Sequence, residues 1–174
     1  VRFDGSRIWV RHEVRAPLLP LLYNGRINRF HREGPWALSL GRMFLRLDLA
    51  PIPFDELLDI VNGAGLMLDL KAASYSPSRE RRFVETMLGM LGTWFHGRID
   101  FCGSWRLLDI VRELRPDQRV HYSVDDDEGW RAFERRLGGS APVRAITIQS
   151  SMLDDARESV LRREGVEFFV WDVE

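Results

Sequence analysis

From about residue 66 onward, apolar residues recur in two alternating rhythms. Short apolar runs come first. Leu66–Leu70, Arg98–Cys102, Arg119–Val124, Val143–Gln149 and Val166–Val173 read as strands, at the length and apolarity of buried sheet members. Longer segments of helical period separate them. Pro77–Leu91 carries Phe83, Met87 and Met90 on one side, and Ser104–Arg115 has Leu107, Val111 and Leu114 at i, i+4 and i+7. Glu128–Leu137 turns on Trp130, Phe133 and Leu137, and Met152–Arg163 on Leu153, Ala156 and Val160. Ser104 reads as a cap, Pro116 and Gly138-Gly139 as stops, and Gly165 as a closing glycine.

The first third is less regular. Arg7–Arg11 reads as a strand around Ile8, Trp9 and Val10, and Val1–Phe3 as the other arm of a hairpin over Asp4-Gly5-Ser6. Residues 14–52 are punctuated by Pro17, Pro20, Gly34-Pro35 and Pro51, which predicts a long loop with short helical pieces. Phe54, Leu57, Leu58 and Val61 then follow helical spacing up to Asn62-Gly63. The alternation of strand and helix predicts an α/β fold with right-handed crossovers and mainly parallel strands. Spacing alone does not separate an open doubly wound sheet from a barrel. Six strands are expected, with the one near Arg7 at one sheet edge and the one near Phe168 at the other.

Composition narrows the function classes. The 174 residues suit one domain, and 45% hydrophobic with 29% charged residues is a globular balance. Twenty-five basic against 26 acidic residues leave a net charge of -1, which gives no support for a nucleic-acid partner. No run approaches the roughly 18 apolar residues of a membrane span. The single cysteine, Cys102, excludes an internal disulfide and the usual multi-cysteine zinc sites. The chain opens on Val1 with no visible signal peptide, so a cytoplasmic location is favoured, with the N-terminus read as trimmed or part of a longer chain. Neither Gly-x-Gly-x-x-Gly after a strand nor a phosphate-binding Gly-x4-Gly-Lys-Ser/Thr loop is present.

Of 25 basic residues only Lys71 is lysine, and it stands two positions from Asp69 on a predicted strand. Two residues apart on a strand share a face. His12 ends the first clear strand, and Trp171 interrupts a Val/Phe-rich one. His31, His96 and His121 have no mutual spacing that suggests a metal site and read as satisfied or exposed. Gln149 ends its strand and could offer hydrogen bonds. Asp125-Asp126-Asp127-Glu128 reads as acids favoured by a helix N-terminus, and Cys102 as a small buried hydrophobe.

Four stretches, in order, resemble the glycerophosphodiester phosphodiesterase family. Val1–Glu13 looks like its second-strand region, which leads through a turn to a His-Asp pair. Ile52-Pro53-Phe54-Asp55-Glu56-Leu57-Leu58 looks like its Ile-Pro-Thr-Leu-Glu-Glu helix start. Leu68-Asp69-Leu70-Lys71 looks like its hydrophobic-Glu-hydrophobic-Lys strand, and Val170-Trp171-Asp172-Val173-Glu174 like its Val-Trp-Thr-Val-Asn strand. The resemblance implies a TIM barrel. Residues 1–174 would form a single incomplete (β/α) barrel domain, lacking the first and last strands of the eight. It also implies metal-dependent hydrolysis of a small-molecule glycerophosphodiester to sn-glycerol 3-phosphate and an alcohol. His12 would be the acid/base, Asp69 a ligand for Mg²⁺ or Ca²⁺, Lys71 the phosphate clamp, and Trp171 a border of the substrate pocket. Asp69 stands where the family has Glu, and Glu13 where it has Asp. With two of three expected metal carboxylates outside the chain, residues 1–174 alone are expected to be inactive. The alternative is a non-catalytic barrel relative that binds a ligand or serves assembly.

Overall fold

A computed structural model describes residues 2–3, 8–10, 22–24, 38–40, 43–45, 52–61, 65–71, 75–94, 97–139 and 142–172. Its centre is a five-stranded, all-parallel sheet. In chain order the small N-terminal strands are β1 (Arg2–Phe3), β2 (Ile8–Val10), β3 (Leu22–Asn24), β4 (Leu38–Leu40), β5 (Met43–Leu45) and β6 (Ile52–Pro53). Helix α1 (Phe54–Ile60) follows. The parallel sheet is β7 (Leu66–Leu70), β8 (Ile99–Gly103), β9 (Val120–Val124), β10 (Ala145–Gln149) and β11 (Glu167–Trp171). Helices α2 (Pro77–Trp94), α3 (Trp105–Leu114), α4 (Asp127–Leu137) and α5 (Asp155–Arg163) fill the gaps between them.

Local chemistry sets these boundaries. Pro77 opens α2, where its missing N–H is no loss. Asp126 caps α4 by accepting from the Gly129 N–H at 2.8 Å, and Asp154 caps α5 by accepting from Arg157 N–H at 2.8 Å. Gly165, at φ 64°, lets Val166 N–H reach back to the Leu161 carbonyl at 2.9 Å and closes α5. The α5 segment begins later than its periodicity suggests. Ser150–Met152 forms a 3-10 turn, and the helix waits for the Asp154 cap.

The strand order is β11-β10-β9-β8-β7, so every strand lies beside its sequence neighbour. Right-handed crossovers between successive neighbours put all connecting helices on one face. A doubly wound sheet needs a reversal in strand order, and these five strands have none. The helix-covered face is apolar: Leu68, Leu70, Phe101, Tyr122, Val124, Ile146 and Ile148 are buried on it. Trp105 of α3 packs on Tyr122 with ring centroids 4.5 Å apart. Tyr122 Oη donates to Asp109 (2.8 Å), whose carboxylate also takes two bonds from Arg136 of α4 at 2.7 and 2.8 Å. These ties hold α3 and α4 to the sheet. The fold is therefore α/β with parallel strands alternating with helices, and five strands do not close an eight-stranded barrel.

The N-terminal third departs from the sequence expectation. Ile8–Val10 does not join the parallel sheet as a sixth strand. It pairs antiparallel with Arg2–Phe3, as the hairpin reading requires, and with Ile52–Pro53 on its other side. Pro53 holds Ile52 extended and supplies that neighbour. Ile8 is buried in a core that includes Phe54 and Leu58 of α1. The second edge of the parallel sheet is thus β7. Within residues 14–52, the described residues form no helical piece; β3, β5 and β4 make a small antiparallel sheet. No helix among the described residues is long and apolar enough to cross a membrane.

Candidate functional site

The register fixes what shares the face away from helices α2 to α5. Asp69 pairs with Cys102, Cys102 with His121, Ser123 with Thr147, Thr147 with Phe169, and Gln149 with Trp171. Residues paired in a parallel ladder point the same way, so these side chains share one face, polar with two aromatic rings at its β11 edge, opposite helices α2 to α5. Lys71 follows β7 at the C-terminal end of the strands, where α/β folds bind ligands.

Asp69 and Lys71 meet there. The Lys71 ammonium lies 2.9 Å from Asp69 Oδ2, with both side chains about half exposed. Burial would lower the Lys71 pKa, but the Asp69 bond and charge, with the Asp125 charge, outweigh it and raise it. The ammonium is therefore charged at neutral pH. Asp125 moves up because of burial and the neighbouring Asp69 and Asp126 charges, against the pull of Lys71. Gly103 makes room for the pair. Its φ is +111°, and a Cβ there would lie 2.6 Å from Asp69 Oδ1 and 2.9 Å from Leu70 N.

Trp171 lies on the same face, 41% exposed, at the C-terminal end of β11. Four strand spacings separate β11 from β7, roughly 19 Å measured flat. The sheet thus brings Asp69 and Lys71 together and places Trp171 on the far edge of their face. His12 lies outside the described residues, as do His31 and His96. Gln149 Nε2 donates to Asp172 Oδ2 at 3.2 Å. Asp126 to Glu128 lie at the N-terminus of α4, the first as its cap, as expected.

Cys102 is buried, as expected for a small hydrophobe. Burial and the nearby Asp69 carboxylate push its thiol up to about 12, so it is no nucleophile. Among the described residues no group of three His, Cys, Asp or Glu side chains could hold a metal ion. The Asp69 carboxylate is already engaged by Lys71. The divalent cation implied by the resemblance therefore finds no complete ligand set in these residues.

His121 departs from the expectation of a satisfied or exposed side chain. It is fully buried, and among the described residues neither ring nitrogen has a hydrogen-bond partner. Asp100 Oδ2 is 3.8 Å from Nε2, beyond hydrogen-bond reach, and is held by Arg98 at 2.9 Å. The Phe169 ring lies against the imidazole, with centroids 5.1 Å apart and planes at 74°. Burial lowers the His121 pKa, and the Arg119 and Arg98 charges add to this against Asp100. The sequence signal for this group was slight: a histidine alternating with Val120 and Tyr122. No protein-family model, curated protein or solved structure matches the chain.

Proposed function

We propose that this chain is a glycerophosphodiester phosphodiesterase-like (β/α) unit that binds the phosphate of a small phosphodiester at Lys71. The observation that carries the reading is the Asp69–Lys71 pair at the C-terminal end of β7 in a singly wound parallel sheet. An ammonium has three donors. One serves Asp69, which orients the side chain, and two remain for non-bridging phosphate oxygens. The charge that builds on those oxygens in hydrolysis is what a fixed cation stabilises. In this reading water adds to phosphorus and the bond to the alcohol oxygen breaks. His12 gives that oxygen a proton, and the products are sn-glycerol 3-phosphate and the free alcohol.

A second reading, a relative that binds the diester without turnover, is favoured by Asp69 itself. It is one methylene shorter than the family's Glu, and its carboxylate is taken by Lys71.

Calorimetric titration with sn-glycerol 3-phosphate tests the phosphate site. Lys71→Met should weaken binding at least about tenfold, as expected for losing a hydrogen bond to a charged group. Equal affinity in the two proteins would remove Lys71 from the site. Phosphorus NMR of glycerophosphodiesters with Mg²⁺ or Ca²⁺ then separates the two readings, since only the first predicts release of sn-glycerol 3-phosphate.

A further inference from the structure

The β9–β11 half of the polar face carries two features that neither core packing nor the Lys71 site accounts for. The first is His121, whose two ring nitrogens are buried without hydrogen-bond partners among the described residues. Buried polar groups are nearly always hydrogen-bonded, and each exception needs a cause. The second is a pair of large aromatic side chains, Phe169 and Trp171, left 42% and 41% exposed on that face. Both features are unfavourable as they stand, and they adjoin: the Phe169 ring rests against the imidazole. Ala145, on the β10 strand between them, is buried and carries no polar group for the imidazole.

Two hydroxyl groups complete the surface. Ser123 Oγ and Thr147 Oγ1 lie 3.0 Å apart on the same face, next along the strands from His121. One hydroxyl hydrogen serves their mutual bond, which leaves one further donor and several lone pairs. The charged groups nearby are already engaged. Arg98 holds Asp100, Arg119 pairs with Glu167, and Gln149 holds Asp172. This half of the face therefore offers uncharged donors and acceptors beside aromatic rings. A cyclic polyol matches it, with hydroxyl groups for the imidazole and hydroxyls and an apolar C–H face for the rings.

We propose that this half of the face binds the alcohol part of the phosphodiester, and that this alcohol is an uncharged cyclic polyol rather than an ammonium alcohol. The proposal rests on the reading of Lys71 as the phosphate clamp. Phe169 turns aside as the ring enters, and the polyol hydroxyls then satisfy the imidazole. His121 lies two strand spacings from Asp69 in the same row, roughly 10 Å, so one diester spans both halves.

Calorimetry with three probes decides it: glycerophosphoinositol, glycerophosphocholine and sn-glycerol 3-phosphate. The unsubstituted protein should bind the inositol diester at least tenfold more tightly than the choline diester. His121→Leu and, separately, Thr147→Val should reduce that preference to less than threefold. Two proteins guard against misfolding of either one. Equal affinity for the two diesters, or a preference that survives both substitutions, would overturn the proposal. If sn-glycerol 3-phosphate binds and no preference appears, only this inference fails. If none of the three binds, the Lys71 reading fails with it.

Discussion

Replacing the buried histidine should make the protein more stable. His121→Leu removes two ring nitrogens that have no hydrogen-bond partner among the described residues. Each unsatisfied buried polar group costs about 1–3 kcal/mol. Leucine has nearly the volume of the imidazole, so overpacking is small. The loss is the edge-to-face contact with Phe169, and such ring pairs contribute about 0.5–1.5 kcal/mol. The net expectation at pH 8 is a gain of about 1 kcal/mol or more, and so at least about 2–4 °C in Tm for a chain of this size. The sign with pH is fixed by the lowered pKa of His121. Unfolding restores the ordinary value of 6.5, so below about that pH the unfolded chain binds a proton that the folded chain refuses. Stability of the natural protein therefore falls as pH drops from about 6.5 toward the folded pKa. The slope is at most about 1.4 kcal/mol per pH unit. The leucine variant lacks this loss, so its advantage should widen from pH 8 to pH 5.5. Urea unfolding at both pH values measures it. A variant less stable by 1 kcal/mol or more at pH 8 would mean that the imidazole is satisfied. An advantage equal at the two pH values would mean that His121 titrates normally.

Two further expectations concern strand β8. Gly103→Ala should destabilise by at least about 2 kcal/mol in urea unfolding, because φ is +111° and the new Cβ would press on Asp69 and Leu70 of β7; a change under 0.5 kcal/mol would refute the close approach. Cys102, buried and with its thiol pushed up to about 12, should react with a thiol reagent at pH 8 at least about a hundredfold more slowly than in urea-unfolded protein. Comparable rates would place it at the surface.

How much of this was readable in the residues depends on whether the signal is local. Leu66–Leu70 is legible to the residue because an apolar run that follows Asn62-Gly63-Ala64-Gly65 and ends at Lys71 is a local pattern. The helices were read from their period, with errors at the ends. The start of α5 was missed by three residues because Leu153 continues the apolar rhythm, while the Asp154 cap overrides it. Among the N-terminal strands, Arg2–Phe3 and Ile8–Val10 are close enough in the chain to read as a hairpin, but β3 and β6 are two or three residues long, shorter than any period can reveal, and pair with strands far along the chain. The Asp69–Lys71 pair was legible because i, i+2 on a strand is a local relation. The orphaned state of His121 was not, because it is set by Asp100, Ala145 and Phe169 on three other strands.

Even so, the sequence held a sign of how the sheet is wound that a search for apolar runs passes over. In β9 and β10 the polar residues fall at His121, Ser123, Thr147 and Gln149, and the apolar ones at Val120, Tyr122, Val124, Ile146 and Ile148. A strand covered by helices on both faces has no reason to alternate in this way. Alternation inside otherwise buried strands requires two unlike faces, one under helices and one facing something polar. Parallel strands with short crossovers achieve this only if every helix packs on one side, and that requires sequential strand order. The period of two in β9 and β10 thus separates a singly wound sheet from a doubly wound one. It also sets His121, Ser123 and Thr147 apart from the helix-covered residues, and the register puts them on the face of Asp69.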